Sequence, residues 1–504
     1  MTSGVDIHAM RVAAVVAFAA LVGQQTGSTP PPHRPASPAA SAARDWAGII
    51  DIDGHQSAVQ AHLYMKGDSA SGSMDLYGDA TGVTLRGGRL TSDSIVATIP
   101  RRLTGPTTIR GRIIGDTLAG LAERGDRTGT VRLLHLATID TADAHRSEGL
   151  YVTGADTLIV NRVTPTMLAL TEPTTHALRI LAPIGPGEYV AGTTLFSPLP
   201  ISWRVRIRNE DSGSAALIVN RNGRSVTARR VPLHIEEVRF THDTITLGGA
   251  FIRPPQPGRY PVVVFMHGSG NSIRTSHIDI AYYLAAHGIA SLIYDKRGTP
   301  PSTGAYIAAS YTDLADDAVA GASMLMSRPD VDTMHVRFAG ISEGANTSML
   351  AAARFRKTAF VIPISGAGLA PNVWELYEAA DQLVTDGSFS AADTADAMHF
   401  LRARDHYTAT RRDWPVYEAA LKHAIAPGPR WYGYATTDLF GWGTPDSRGW
   451  DQKALNYFYD PLPTARMLTC PVLNVLGERA TCRRPGRSPS RCSSVHWQKR
   501  ATPT

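Results

Sequence analysis

The sequence predicts an α/β fold, in which a doubly wound, mostly parallel sheet carries a helical cap and follows an antiparallel β-rich N-terminal region. Three observations lead to this prediction. Short apolar stretches alternate with Gly-, Asp- and Ser-rich turns up to Val231, and continuous apolar runs alternate with helical patterns after it. A Trp- and Tyr-rich segment separates the last two of these runs. Period-2 alternation is typical of antiparallel strands, whereas apolar runs between helices are typical of parallel strands buried on both faces.

The first 44 residues predict export rather than a folded domain. Arg11 precedes an unbroken run of apolar and small residues, Val12 to Gly23, which is too short to span a bilayer but suits a signal peptide. We therefore expect a signal peptide over residues 1–23, a secreted or periplasmic protein, and no stable membrane span after its removal. The alternatives are an apolar disordered tail or a start at Met10. Residues 24–44, rich in Pro, Ser and Ala, are predicted to be a disordered linker.

Two segments that follow the linker are predicted to be rich in β-strands, residues 45–140 and residues 148–235. In both, apolar residues alternate with polar ones, and turn signals recur about every eight to twelve residues. The pattern leaves open whether they form one domain or two. Neither segment contains a cluster of residue types that would carry catalysis.

Residues 236–478 are predicted to form the α/β domain. Its first buried strand is the apolar run Val262–Met266, and helices and strands then alternate up to the strand AFVIPISGA. Such βα units imply a mostly parallel sheet with helices on its faces. Residues 368–469 are predicted to be a largely helical cap, and the run CPVLNVLGE after it is predicted to be one more strand.

The segment Gly340-Ile341-Ser342-Glu343-Gly344 has the pattern G-x-S-x-G between a predicted strand and a predicted helix. A serine hydroxyl is a poor nucleophile, so it needs a base and an exposed position, and a tight strand-to-helix turn supplies the exposure. The two glycines permit the close contact between strand and helix. Ser342 is the predicted nucleophile, with a structural serine as the alternative.

The segment His267-Gly268-Ser269-Gly270 directly follows the strand VVVFM. Acyl transfer needs backbone N–H groups directed at the oxygen that becomes negative, and a glycine-rich loop at a strand end can provide them. The predicted donors are the amide of Ser269 or of Gly270, together with the amide of Glu343. A third motif, Tyr294-Asp-Lys-Arg-Gly, is interpreted as structural, with Asp295 and Arg297 forming a buried ion pair or hydrogen bonds.

These three motifs, in this order and spacing, resemble the α/β-hydrolase superfamily, in particular secreted bacterial carboxylesterases related to serine aminopeptidases and acylaminoacyl peptidases. Such proteins place a β-rich region before a hydrolase domain that contains HGSG, YDKRG and G-x-S-x-G. The resemblance covers about Val238 to Glu478, including the segment DPLP that precedes CPVL. It implies hydrolysis of a carboxylic ester, and by extension of amides, through an acyl-enzyme on Ser342.

The resemblance also implies an acid and a histidine after CPVLNVLGE, and the sequence departs from the family there. No Asp follows Asp460, so Glu478 is the acid candidate, and His496 is the base candidate because no other histidine follows the strand. Residues 479–504 contain seven Lys and Arg but no Asp or Glu, which is unlike the sequence before them.

Three accounts of this tail compete. The favoured account is a frameshift or early termination near Arg479, which would leave an impaired enzyme. The second is a rearranged triad of Glu478 and His496, which would need a tail without apolar periodicity to position a base. The least favoured is recruitment of a histidine from upstream, among His277, His287, His399, His406 and His423.

Composition limits the partners. The net charge of +6 arises from the tail, because the remainder of the chain has 43 basic and 44 acidic residues, so no nucleic-acid partner is expected. Three cysteines, Cys470, Cys482 and Cys492, have no framework spacing, and we expect neither a metal nor a cofactor. The expected substrate is a small-molecule ester or a short peptide, with an aminopeptidase or a non-catalytic binding protein as alternatives. The oligomeric state cannot be inferred from the sequence.

Overall fold

A computed structural model gives the architecture of part of the chain. It describes residues 43–66, 69–77, 80–84, 86–91, 93–99, 106–154, 156–164, 166–175, 177–210, 214–366, 368–386, 389–425, 431, 444–446 and 449–476. Internal contacts divide the chain into two units, and the boundary between them falls between Leu233 and His234. The signal peptide, residues 24–42 of the predicted linker and the basic tail lie outside the described residues and stay predictions, whereas Ala43 and Arg44, predicted to end the linker, belong to the first strand.

The first unit contains a nine-stranded sheet in which every pairing is antiparallel. Its strands are β1 (Ala43–Ile52), β2 (His55–Lys66), β3 (Ser69–Tyr77), β4 (Ala80–Thr84), β5 (Arg86–Leu90), β6 (Ser94–Ile99), β7 (Thr107–Ile114), β8 (Thr117–Arg124) and β9 (Arg127–Leu136). Their order is β2-β1-β9-β8-β7-β6-β5-β3-β4, and β2 also pairs with β3. In β6 every second residue is buried, as the alternating pattern predicts.

The same unit contains a closed barrel of eight antiparallel strands with its own apolar core. The strands are β10 (Gly149–Thr153), β11 (Asp156–Thr164), β12 (Met167–Glu172), β13 (Ala177–Gly185), β14 (Glu188–Gly192), β15 (Ile201–Asn209), β16 (Ala215–Arg221) and β17 (Arg224–Val231). β10 pairs with β17 and closes the barrel. A short helix that the sequence analysis did not predict, α1 (Thr141–Ser147), precedes the barrel, and the Asp140 side chain caps it. The two β-rich segments are therefore two separate sheets.

The second unit is built on a six-stranded sheet in the order β18-β19-β21-β20-β22-β23. Its strands are β18 (His234–His242), β19 (Ile245–Arg253), β20 (Tyr260–Met266), β21 (Ala290–Tyr294), β22 (Val331–Ile341) and β23 (Thr358–Ile364). The three pairings among β20, β21, β22 and β23 are parallel, and the two that involve β18 and β19 are antiparallel. The finer expectation of a doubly wound, mostly parallel sheet stays a prediction.

The helices of this unit alternate with the parallel strands, as the sequence pattern predicts. They are α2 (Ile278–Ala286), α3 (Tyr311–Leu325), α4 (Glu343–Arg354), α5 (Pro371–Asp386), α6 (Ala391–Thr410), α7 (Trp414–Ile425), α8 (Gly449–Tyr457) and α9 (Pro461–Met467), with short 3-10 helices at Arg274–His277 and Tyr306–Ala308. The side chains of Ser310 and Asp313 form a capping box at the start of α3, which satisfies backbone donors there.

The segment predicted to be a cap is helical where it is described. Helices α5, α6, α7 and α8 share an apolar and aromatic core that includes Phe400, Tyr417, Trp431 and Trp450. None of the described helices is long and apolar enough to cross a membrane.

The apolar run that follows the cap lies beside β23. Val472 and Val475 form parallel bridges to Val361 and Ile364. Four backbone hydrogen bonds of 2.8–3.1 Å join residues 471–475 to β23 and Ser365. The run therefore pairs where a further strand was predicted, and it brings the chain to the edge of the sheet just before the description ends at residue 476.

Candidate active site

Ser342 occupies the turn between β22 and α4 in a strained conformation. Its backbone angles are φ 55° and ψ −116°, a region of backbone conformation that residues other than glycine rarely adopt. The residue is half-buried, whereas Ile341 and Glu343 on either side are buried. Its N–H donates to the carbonyl oxygen of Ile364 at 2.9 Å, which ties the turn to the end of β23. The backbone thus holds this serine at the surface of the turn.

The two glycines of the motif allow the turn to close. A Cβ on Gly340 would lie 2.1 Å from the carbonyl oxygen of Gly344. A Cβ on Gly344 would lie 2.4 Å from the carbonyl oxygen of Met266, the last residue of β20. Both clashes are with backbone, so they cannot be relieved by turning a side chain. The start of α4 can therefore approach the ends of β22 and β20 only with glycine at these positions.

The HGSG segment leaves the sheet at this same edge. Met266 is in register with Gly340, so residues 267–270 begin beside the end of β22. His267 is buried, Gly268 and Gly270 are half-buried and Ser269 is exposed. The local strand, turn and helix are those the motifs predict. The catalytic roles of Ser342, Ser269, Gly270 and Glu343 stay predictions.

A buried ion pair joins the loop to the start of α4. The ammonium of Lys296 contacts the Glu343 carboxylate and donates to the carbonyl oxygen of Gly268 at 2.7 Å. The hydroxyl of Tyr306 donates to the other Glu343 oxygen at 2.9 Å, and the Lys296 ammonium lies 4.0 Å from the centre of the Tyr306 ring. Both members of the ion pair are nearly inaccessible to solvent, at 4% and 6% exposure.

Burial shifts the proton equilibria of this group. Loss of solvent lowers the pKa of Lys296, and the adjacent Glu343 charge opposes that shift. Burial raises the pKa of Tyr306, and the Glu343 charge raises it further. The tyrosine therefore stays neutral and acts as a hydrogen-bond donor at neutral pH.

The YDKRG motif shapes the loop as expected, but through partners that the sequence analysis did not identify. Asp295 pairs with Arg274, whose backbone N–H and Nε each donate at 2.8 Å. Arg297 pairs with Asp317 through two hydrogen bonds of 2.7 Å. Asp295 and Arg297 thus belong to two separate buried ion pairs.

Two buried histidines lie beneath the loop. Burial lowers the pKa of His277 to about 4, and burial together with the charges of His277 and Lys296 holds the pKa of His267 well below its usual range. The His267 ring packs 4.8 Å from that of His277 and 5.3 Å from that of Tyr294. A base for Ser342 must reach its hydroxyl, and these neutral rings are instead part of the packed interior.

The other upstream histidines are engaged elsewhere or exposed. His287 contacts the Tyr283 carbonyl oxygen at 2.7 Å, His406 pairs with Asp413 at 2.8 Å and His423 pairs with Asp396 at 3.2 Å. His399 is exposed on α6. Among the described residues, no histidine shares a hydrogen bond with the Ser342 hydroxyl. The remaining candidates, Glu478 and His496, lie outside the described residues, so their roles stay predictions.

Sequence reasoning missed Lys296 and Tyr306. Lys296 could have been identified from its position directly after the buried strand β21, because a charged side chain there needs a partner. Tyr306 carried no recognisable signal, because its 3-10 helix lies in an irregular connection. Within the described part of the chain, no group of three His, Cys, Asp or Glu side chains is arranged to hold a metal ion.

Comparison with known proteins agrees with this geometry. Residues 259–386 match the hydrolase family described as serine aminopeptidase, S33, and this range contains the turn, the loop and the buried ion pair. No curated protein matches the chain.

Solved structures similar to the chain include proteins described as hydrolases and esterases. The alpha/beta hydrolase GrgF from Penicillium sp. sh18 is 23% identical over 32% of this chain and 57% of its own, with a TM-score of 0.26. Est1E from Butyrivibrio proteoclasticus, solved with ferulic acid, is 25% identical over 27% of this chain and 55% of its own, with a TM-score of 0.25. An esterase from Pyrococcus furiosus is 17% identical over 48% of this chain and 70% of its own, with a TM-score of 0.30.

The family assignment rests on the matched segment and on the turn that it contains. The segment includes a serine in the strained conformation of a strand-to-helix turn, two glycines that only such a turn requires, and parallel strands that lead to it. Over residues 259–386, the chain matches a family of the α/β-hydrolase type.

Proposed function

We propose that this chain is a serine hydrolase that cleaves carboxylic esters through an acyl-enzyme on Ser342. The observation that carries the proposal is the strained backbone of Ser342 at a half-buried position. Such a conformation costs about 1–3 kcal/mol, and a serine with only a structural role gains nothing in return. A nucleophile gains exposure at the end of a sheet, where the substrate can approach it.

The reaction divides into two steps. The oxygen of the Ser342 hydroxyl attacks the carbonyl carbon of the ester while its proton passes to a base, and negative charge develops on the carbonyl oxygen. The C–O bond then breaks, and the alcohol departs with the proton. Water attacks the acyl-serine in the second step, releases the carboxylic acid and restores the hydroxyl.

Backbone N–H groups would stabilise the negative oxygen in both steps. Glu343 is the first residue of α4, so its N–H is free of an intrahelical partner and lies at the positive end of the helix dipole. The amide of Ser269 or of Gly270 would supply the second donor from the adjacent loop.

The base and the acid are the open part of the proposal. Residues 479–504, with seven basic residues and no apolar face, are proposed not to position His496 beside Ser342. Both steps then proceed slowly, because proton transfer by a positioned base contributes about 10²–10⁴-fold to such reactions. Deacylation is affected more than acylation by an activated ester, whose leaving group departs without help.

An ester is favoured over a peptide with a free N-terminus. The matched family is described as serine aminopeptidases, so amide cleavage is the second candidate. An aminopeptidase needs an acidic group for the substrate amine, and the sequence offers Glu343 beside the nucleophile. Lys296 and Tyr306 already occupy the two oxygens of that carboxylate. Comparing hydrolysis of p-nitrophenyl acetate with that of an aminoacyl p-nitroanilide distinguishes the two activities.

Turnover of p-nitrophenyl acetate by the purified chain tests the proposal. We expect slow hydrolysis that is lost in Ser342→Ala and unchanged in His496→Ala. Hydrolysis that persists in Ser342→Ala would refute the role of Ser342. Fast hydrolysis that is lost in His496→Ala would show that the tail is catalytic and that the interpretation of it as a frameshift is wrong.

Export is a further proposal, supported by the apolar run after Arg11 alone. The N-terminal sequence of material from a secreting host tests it. We expect loss of about two to three dozen residues, as signal peptides have that length. An intact N-terminus on material that stays in the cytoplasm would contradict it.

A further inference from the structure

Lys296 is a buried cation with three contacts around the turn at Ser342. It follows β21 directly, is 4% exposed, and contacts the Gly268 carbonyl oxygen, the Glu343 carboxylate and the face of the Tyr306 ring. A lysine is almost never this buried unless a partner compensates its charge. Here the Glu343 carboxylate balances the charge, so the contribution of Lys296 to the site is mainly geometric.

The contact with Gly268 determines which way a backbone amide points. The carbonyl of Gly268 and the N–H of Ser269 belong to one planar peptide group, in which they point in opposite directions. Lys296 holds that carbonyl from the buried side at 2.7 Å. The N–H of Ser269 is therefore directed away from the interior, and Ser269 itself is exposed.

The amide of Gly270 belongs to the next peptide group along the loop. The electrostatic influence of Gly270 and of the Ser269 side chain partly offsets the rise in the pKa of Tyr306. Of the two loop amides proposed as oxyanion donors, that of Ser269 is the one in the peptide group whose carbonyl Lys296 contacts.

The same ammonium also holds the segment that carries the second donor. Glu343 begins α4, and its side chain is bound by Lys296 and Tyr306 while its N–H remains at the open end of the helix. One side chain thus connects the loop after β20 to the first turn of α4. A change in its length or shape would move the two donors relative to each other.

We propose that Lys296 is a positioning residue that orients the Ser269 amide as the loop donor of the oxyanion site and fixes its distance from the Glu343 amide. This inference rests on the proposed function of Ser342. It assigns no proton transfer and no substrate contact to the lysine.

The test compares Lys296→Met, which keeps the aliphatic stem, with Lys296→Arg, which keeps the charge. Labelling of Ser342 by a fluorophosphonate is followed at several probe concentrations, which separates the limiting rate from the half-saturating concentration. We expect Lys296→Met to lower the limiting rate by about a hundredfold, as loss of one oxyanion donor does. The half-saturating concentration should change little, because the donors act on the transition state. Lys296→Arg should recover part of the rate.

Crystal structures of the wild-type chain and of Lys296→Met provide a readout that does not depend on activity. We expect the peptide between Gly268 and Ser269 to turn in the variant. Lys422→Met is the control, because this exposed lysine on α7 pairs with Glu418, one turn away on the same helix. An unmoved peptide and a limiting rate equal to that of the wild type would overturn the inference.

Failure of the proposed function is distinguishable from failure of the inference. If the wild-type chain is not labelled at all, the role of Ser342 fails, and the orientation of the peptide in Lys296→Met still decides whether the lysine positions it. If Lys296→Met does not fold, Glu343→Gln is tested instead. That substitution weakens the interaction of residue 343 with the Lys296 ammonium and leaves the backbone amide in place. A smaller loss of the limiting rate would then support the inference, and an unchanged rate would overturn it.

Discussion

Two buried networks in the second unit each contain a cation, a carboxylate and a tyrosine, and they differ in the cation and in what they connect. Beside Ser342, the cation Lys296 contacts Glu343 and the ring of Tyr306. In the cap, the cation Arg404 binds Glu375 with hydrogen bonds of 3.0 and 3.1 Å, and both contact the hydroxyl of Tyr457. Each cation is almost completely buried.

The difference lies in the geometry of the cation. A guanidinium presents a rigid planar fork, and in the cap it joins side chains of α5, α6 and α8. An ammonium is a compact charge with three donors that can be shared between a carboxylate and a backbone carbonyl, and at the site Lys296 does this. The cap network thus connects helices, whereas the site network orients a peptide group.

Among the variants that distinguish the two networks, removal of Arg404, the cation in the cap, should have the largest effect. Arg404→Met leaves the half-buried Glu375 and the buried Asp405 without this cation, and loss of one partner of a buried ion pair costs about 3–5 kcal/mol of unfolding free energy. We expect a loss of that size in urea unfolding, with a labelling rate of Ser342 close to that of the wild type. A strong fall in the labelling rate of the folded variant would show that the cap network also orients the site.

The two tyrosines give a matched pair of smaller changes. Tyr457→Phe and Tyr306→Phe each remove a hydroxyl that hydrogen-bonds to a carboxylate, and such a bond contributes about 1.5–3 kcal/mol. We expect similar losses of unfolding free energy in both, but a slower labelling of Ser342 only in Tyr306→Phe. Equal labelling rates in the two variants would remove the functional distinction between the networks.

Relief of strain at Ser342 should show that the site, unlike the cap, is not optimised for stability. Ser342→Gly adopts φ 55° without the steric cost of a side chain. We expect it to be more stable than Ser342→Ala by about 1 kcal/mol in urea unfolding, while neither variant is labelled. A glycine variant less stable than the alanine variant would mean that the turn is not strained.

The smallest expected effect is a difference between the two cations at alkaline pH, because an arginine keeps its proton there and a buried lysine does not. Burial holds the pKa of Lys296 below its ordinary value of 10.5. We expect the labelling rate to fall at a pH below 10.5 in the wild type, and Lys296→Arg to lack this fall. Lys296 loses its proton at a lower pH in the folded chain than in the unfolded chain. Its contribution to the free energy of unfolding therefore increases as the pH rises from the folded-state pKa to the unfolded-state pKa. An identical alkaline profile in Lys296→Arg would assign the fall to another group.

The cap and the site also differ in how far the sequence predicts them. The turn at Ser342 and the strand before the HGSG loop were predictable, because each depends on a few consecutive residues with distinct apolar and glycine patterns. The helical character of the cap followed from its periodicity in the same way. None of these required knowledge of a distant contact.

The partners of charged side chains were not predictable. Lys296 pairs with Glu343, which is 47 positions away, and Asp295 pairs with Arg274 rather than with the nearby Arg297. Such pairs depend on how strands are ordered in the sheet, which no local pattern reports. The base and the acid are a different case, since Glu478 and His496 lie outside the described residues and only an experiment decides their roles.

Mass spectrometry of the chain after incubation with p-nitrophenyl acetate tests the central claim most directly. Because deacylation without a positioned base is slow, an acetyl group should accumulate on the peptide that contains Ser342. The same peptide of Ser342→Ala should remain unmodified. Release of p-nitrophenol by the wild-type chain with no acetyl group on Ser342 at any time, and at the same rate in Ser342→Ala, would contradict the assignment of Ser342 as the nucleophile.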